Sequence, residues 1–129
     1  MTKARRAILK GLEDAKEPIS VTDLAKQLSD LCDPATVYRN LHYLEQNNLA
    51  TSFILHCSEH GTERYYSSKE GKGHHHWFHC ESCHCFIDLG GCFYSDLLQG
   101  FEDEHGFIVH DHTFYITGIC KECRKALAT

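Results

Sequence analysis

Apolar residues recur with a helical period through the first fifty positions. Ile8, Leu9 and Leu12 share one face of a segment that runs from Thr2 to about Ala15, which predicts a first helix. Ser20 is a good N-cap, with Asp23 three residues on as a near capping box. Val21, Leu24, Ala25 and Leu28 then make the i, i+3, i+4, i+7 stripe of a second helix. A third begins at Asp33-Pro34, where the carboxylate can accept from the first amides and proline suits the first helical position. Val37, Leu41 and Leu44 form its buried face, and Asn47-Asn48 marks its stop.

The pattern then changes. Residues 51–57 and 63–67 read as two short strands around the turn Glu59-His60-Gly61. Three helices followed by a hairpin is the order of a winged helix-turn-helix. Residues 67–73 are polar and glycine-containing and read as a linker. Beyond it, residues 74–90 suggest two strands around a Cys-x-x-Cys knuckle. Residues 93–104 look helical, with a stop at His105-Gly106, and residues 107–117 alternate like a strand. The expected fold class is α+β, with a winged-helix domain over 1–67, a hinge over 68–73 and a metal-binding α/β domain over 74–129.

Charge divides the chain in the same place. Residues 1–50 balance seven Lys/Arg against seven Asp/Glu, and the whole net charge of −5 falls in the remainder. The first ten residues carry four positive charges and no acid, so a nucleic-acid surface belongs in the first half. No apolar run reaches the length of a membrane span and the N-terminus lacks a secretory pattern, which places the protein in the cytoplasm. In that compartment 8 cysteines and 11 histidines point to metal or redox thiols rather than disulfides.

Cys80-x-x-Cys83 and Cys120-x-x-Cys123 carry the strongest chemistry. A Cys-x-x-Cys turn brings two sulfurs to one tetrahedral ion at ~2.3 Å, and two such turns close an all-thiolate zinc site with no position open to water. Such a site is structural. With 36 residues between the pairs, it pins a whole β-α-β subdomain. The alternative is two unrelated thiol pairs, one of them a redox motif. On the third helix, Ala35, Arg39, His42 and Tyr43 fall opposite the buried face, with Thr36 and Tyr38 on the flanks. A positive, aromatic face near a helix N-terminus suits a DNA major groove; an ordinary solvated face is the other reading of the same wheel.

Five motifs occur in order: T-x-x-R-x-x-I-L from Thr2 to Leu9, A-T-V-Y-R-N-L from Ala35 to Leu41, H-H-H-W-F-H-C-x-x-C from His74 to Cys83, H-G-F from His105 to Phe107, and H-x-x-x-x-x-G-x-C-x-x-C from His112 to Cys123. Together they resemble the ferric uptake regulator family of metal-dependent repressors, over nearly the whole chain. The resemblance implies a winged-helix DNA-binding domain, a hinge, an α/β dimerisation domain, and a homodimer that binds a palindromic double-stranded DNA operator when loaded with metal. It implies DNA contacts from Tyr38 and Arg39, with Thr36 beside them, and one structural Zn²⁺ per chain on Cys80, Cys83, Cys120 and Cys123. A second, regulatory ion falls by resemblance to His56, His74, His76, Asp88 and His112. The sequence departs from the family at Pro18, where some members have a histidine, at Tyr66, where many have an acidic or Cys ligand, and at His84, where a glycine usually follows the first Cys pair. The histidine run also stands one residue further from Cys80 than usual, so His75 and His76 can trade roles.

On a strand, alternate residues share a face, so His74 and His76 point one way and His75 the other; His110 and His112 make a similar pair. Two such strands converge imidazoles on an ion which, with His56 and Asp88, bridges the two domains and sets the spacing of the DNA-reading heads. A nitrogen-rich site favours Zn²⁺, with Fe²⁺ or Mn²⁺ as alternatives. The expected function is thus a zinc-sensing repressor of metal-uptake or metal-homeostasis genes, an iron- or peroxide-responsive regulator being the alternative within the family. Cys32, Cys57, Cys85 and Cys92 default to buried small hydrophobes, though Cys85 and Cys92 flank Asp88 and can lend a sulfur there. An enzyme is not expected, nor a small-molecule substrate. The one His-x-Glu overlaps the first Cys pair, neither pair follows a proline, and no HExxH, nucleophile elbow or P-loop is present. A zinc-stabilised protein-interaction module without DNA binding is the reading from another class.

Overall fold

The computed structural model describes residues 1–69, 75–90 and 94–127. His74 and Cys92 lie outside the described residues. The chain divides into two compact units, Met1–Lys72 and Gly73–Thr129.

In the first unit, helix α1 (Lys3–Asp14) starts at Thr2, whose hydroxyl accepts from Arg5 N–H at 3.1 Å. A two-residue strand β1 (Ile19–Ser20) leads into α2 (Val21–Gln27), which Ser20 caps by accepting from Asp23 N–H at 3.1 Å. Helix α3 (Pro34–Gln46) is capped by Asp33, whose Oδ1 accepts from Thr36 N–H at 2.7 Å, and gives way at Asn48, which turns to φ 60°. Strands β2 (Ala50–Cys57) and β3 (Gly61–Ser68) form the hairpin, with Gly61 supplying φ 79°, and β1 adds to the far edge of β3. The helical stripes meet in one core of Ile8, Leu12, Leu24, Val37, Leu41, Leu44, Ala50 and Tyr66. Tyr66 is buried in that core, so its position serves packing.

In the second unit, β4 (Trp77–Cys80) is central. It pairs antiparallel with β5 (Phe86–Asp88) and parallel with β6 (Tyr115–Gly118). Between β5 and β6 comes α4 (Ser95–His105), closed by Gly106 at φ 75°, and the second knuckle runs into α5 (Lys121–Leu127). The architecture is α+β, as the hydrophobic pattern predicts.

Two expectations are revised. Of the strand expected over 107–117 only the last part forms, in β6 over Tyr115–Gly118. β4 offers four residues of edge, and each register partner of β6 falls there. The preceding stretch is instead anchored to α4, with Val109 N–H donating to Glu102 Oε2 at 2.9 Å and Ile108 74% exposed. Helix α5 is not foreseen. It is seven residues long and buries none of them, so it leaves no apolar stripe; Glu122 in its first turn and Arg124 and Lys125 in its last suit the helix dipole. No described helix is long and apolar enough to cross a membrane.

Candidate metal centre

The knuckle after β4 is built around one sulfur. Cys80 is fully buried, and its Sγ accepts from the N–H groups of Ser82, Cys83 and Cys120, each at 3.4 Å. The turn closes through His84 N–H to Cys80 O and Cys80 N–H to Cys85 O, both 3.0 Å. To make this turn His84 takes φ 66°, in the left-handed region. That is the position where the family pattern has glycine, and the conformation explains why. The parallel β4–β6 register sets Cys80 beside Gly118 and carries the second knuckle over the first; Glu81 N–H donates to Gly118 O at 2.8 Å.

Cys83 and Cys120 approach to 3.7 Å between sulfurs, and the donor atoms of Cys80, Cys83, Cys120 and Cys123 all lie within 4.8 Å of one another. Four thiolates around a tetrahedral zinc at ~2.3 Å stand ~3.8 Å apart, so these residues can close on the ion with small side-chain shifts. Their electrostatics agree. Burial raises the Cys80 thiol, but the three N–H groups and the Cys83 sulfur outweigh it and bring it down to about 6. The Cys123 N–H likewise lowers Cys120. Cys123 gains from Ser82 but is pushed up to about 12 by the sulfur of Cys120, by burial and by the sulfurs of Cys83 and Cys80. Two sulfurs thus favour the thiolate and a third resists a further negative charge, a conflict that a dication removes. Cys85 stands beside this cluster, its thiol pushed up to about 12 first by burial and then by Cys83.

The histidines before β4 diverge. His76 is 5% exposed and stacks on Phe114 at 3.9 Å between ring centroids, with Tyr94 edge-on to both rings. Its Nε2 lies 3.3 Å from Nε2 of His112. His75 turns the other way, its Nδ1 2.9 Å from Asp88 Oδ1. The structure therefore brings His76 and His112 together and sets Asp88 against His75; His76, Asp88 and His112 do not gather within 4.8 Å of one another. His56 stands exposed on β2, with Nδ1 2.8 Å from Thr62 Oγ1. His110 is exposed and lies outside any strand, so the expected strand pair of His110 and His112 does not form. The aromatic clamp of Phe114 and Tyr94 escapes a reading by His, Cys and carboxylate ligands, since both rings act here through their faces and edges.

On α3, Val37, Leu41 and Leu44 are buried, and Tyr38, Arg39, His42 and Tyr43 are exposed, as the wheel predicts. Arg39 Nη2 donates to Thr36 Oγ1 at 3.3 Å. Asn40, part of the wheel but given no role by it, is buried and accepts from Arg5 Nε at 2.9 Å.

The family model for the ferric uptake regulator family matches residues 1–117. The ferric uptake regulation protein of Bacillus subtilis is 29% identical over 119 residues, covering 92% of this chain and 78% of that protein. Among solved structures, the ferric uptake regulator Fur of Helicobacter pylori, described as having three functional metal binding sites, superposes with a TM-score of 0.72 at 22% identity, over 96% of this chain and 81% of the other. A zinc uptake regulator complexed with zinc and DNA gives a TM-score of 0.72 at 19% identity, over 99% and 85%. The match over 1–117 takes in the whole first unit with its A-T-V-Y-R-N-L helix and the second unit through the first Cys-x-x-Cys knuckle and α4, stopping short of the second Cys pair, and from it the chain belongs to the ferric uptake regulator family of metal-dependent, DNA-binding transcription regulators.

Proposed function

We propose that this protein is a zinc-responsive repressor that binds a palindromic operator as a homodimer, with a structural zinc on Cys80, Cys83, Cys120 and Cys123 and a regulatory zinc on His76 and His112. The observation that carries the regulatory assignment is the 3.3 Å between the two Nε2 atoms. Two imidazole nitrogens bound at ~2.0–2.1 Å to a tetrahedral ion are separated by ~3.3–3.4 Å, so the pair is preset for zinc. His74 is the third donor in this reading, from its place in the histidine run.

The N-terminal unit reads DNA with Thr36, Tyr38 and Arg39 of α3, and the C-terminal unit supports the dimer. Apolar side chains left uncovered in that unit favour the second role: α4 has no buried residue, and Leu97, Phe101 and Ile116 are 54%, 42% and 44% exposed. Metal raises DNA affinity by favouring one pose of the two DNA-reading units, and by linkage DNA tightens metal binding by the same factor. A shift from ~1% to ~99% competent dimer needs ~5.5 kcal/mol of differential metal affinity.

A second reading has its own support. His75 and Asp88 form a nitrogen–oxygen pair, and a mixed donor set suits Fe²⁺ or Mn²⁺ better than the imidazole pair does. The deciding experiment is a mobility shift on a palindromic AT-rich duplex with protein holding one zinc per chain. Added Zn²⁺ is expected to produce the shift, and Arg39→Ala to abolish it while the dimer persists. A shift that needs Fe²⁺ selects the second reading, and full affinity in Arg39→Ala removes α3 from the interface.

A further inference from the structure

One polar side chain crosses from α1 to α3. Arg5 Nε donates to Asn40 Oδ1 at 2.9 Å, and the same guanidinium lies 3.6 Å from the centroid of the Tyr43 ring. Asn40 is only 8% exposed, and its Nδ2 donates to Thr36 O at 2.8 Å. The hydroxyl of Thr36 accepts from Arg39 Nη2 at 3.3 Å. The contacts form a line from Arg5 through Asn40 and Thr36 to Arg39, with Tyr43 as a branch.

Each link has a physical reason. A buried carboxamide between Val37 and Leu41 is costly unless both its ends are bonded. Arg5 bonds one end and the Thr36 carbonyl the other. The guanidinium is planar, so its edge can donate to Asn40 while its face rests on Tyr43; a lysine ammonium has neither a planar edge nor a face to stack. Side chains held by such bonds lose less freedom on binding than loose ones.

We infer that Arg5 is a positioning residue for DNA recognition, fixing Arg39 and Tyr43 on the outer face of α3 through Asn40 rather than acting as one more positive charge near phosphate. This rests on the reading of α3 as the DNA-facing helix. It accounts for a half-buried arginine on a helix whose other basic residues, Lys3, Arg6 and Lys10, are exposed.

The test uses full-length, metal-loaded protein and two duplexes: the sequence that the wild type enriches from a random pool, and a scrambled one of the same length. Affinities are measured across a salt series beside melting temperatures. Arg5→Lys, which keeps the charge, is expected to lose at least tenfold in affinity for the enriched duplex. Its affinity for the scrambled duplex and its salt slope are expected to stay unchanged. Adding Asn40→Ala to Arg5→Lys should lose no more than the larger single loss, because both break the same line. Tyr43→Leu, at an exposed position that does not threaten the fold, should lose part of the same selectivity. Wild-type affinity in Arg5→Lys, equal losses on both duplexes, or losses that multiply in the double variant would each overturn the inference. Full affinity in Arg39→Ala would instead remove the reading of α3 on which it rests.

Discussion

His76 and His112 are 36 positions apart in the chain, yet their Nε2 atoms stand 3.3 Å from each other. The fold brings them together by the parallel pairing of β4 and β6, which sets Trp77 beside Tyr115, and by Phe114, on whose ring His76 stacks. Like donors at that distance gain from a shared cation. In the proposed site Phe114 would hold the imidazole plane without being a ligand; hydrogen-bonded groups that orient a metal-binding histidine are worth ~10–100-fold in metal affinity, and the stack is expected to act at the low end of that range. Phe114→Leu is expected to weaken the second zinc by about that factor while the first zinc stays bound, as read by competition with a chromogenic chelator. An unchanged second affinity would show that the stack has no bearing on the site.

The sulfur cluster carries a different load. Among the described residues of the C-terminal unit few are buried and β4 supplies most of them, so zinc is expected to hold that unit folded. Structural zinc contributes ~10–16 kcal/mol in small domains. Cys120→Ser should therefore remove the zinc and dissolve the Gly73–Thr129 unit, leaving the Met1–Lys72 unit intact. Amide spectra of the two units, with metal analysis, check both halves of the expectation.

The elements that sequence made legible are those whose residues answer to a local rule. Ser20 and Asp33 cap helices through their own side chains, and Val37, Leu41 and Leu44 face inward because helical spacing puts them there. The Cys-x-x-Cys pairs are equally local, and their convergence follows from the chemistry of one ion. What was not legible depends on partners far along the chain. Residues 107–114 have strand-like alternation but pair with no strand among the described residues. Asn40 looks like any helix-surface amide until Arg5, 35 residues earlier, is seen to meet it. The split of His75 towards Asp88 and His76 towards His112 depends on which strand lies on which side of β4, an order that spacing does not encode.

His84 tests the cost of the departure from glycine. A left-handed conformation costs a non-glycine residue ~1–2 kcal/mol, offset in part by the greater entropy glycine loses on folding. His84→Gly in the zinc-loaded protein is expected to gain ~0.5–1 kcal/mol in chemical denaturation. A loss would mean that the ring contact of His84 with His79 outweighs the backbone strain.

Asp33 gives a sign for acid pH. The hydroxyl and then the N–H of Thr36 hold its carboxyl below the ordinary 3.8. A depressed carboxyl stabilises the fold fully above its unfolded value and loses that contribution as pH falls through the lower folded value. Asp33→Asn keeps the cap but removes this titration. The melting temperature of the wild type should therefore fall more steeply than that of Asp33→Asn once the pH drops below about 3.8, and the two should run parallel above it.

The central claim is that an ion on the imidazole pair, separate from the sulfur-bound one, governs DNA binding. The direct measurement is DNA-binding anisotropy against added Zn²⁺, starting from protein that holds one zinc per chain, for the wild type and His112→Ala. The account predicts that wild-type affinity climbs tenfold or more over the second equivalent and that His112→Ala, still holding its first zinc, stays at the starting level. Full affinity with one zinc and no response in either protein would contradict it.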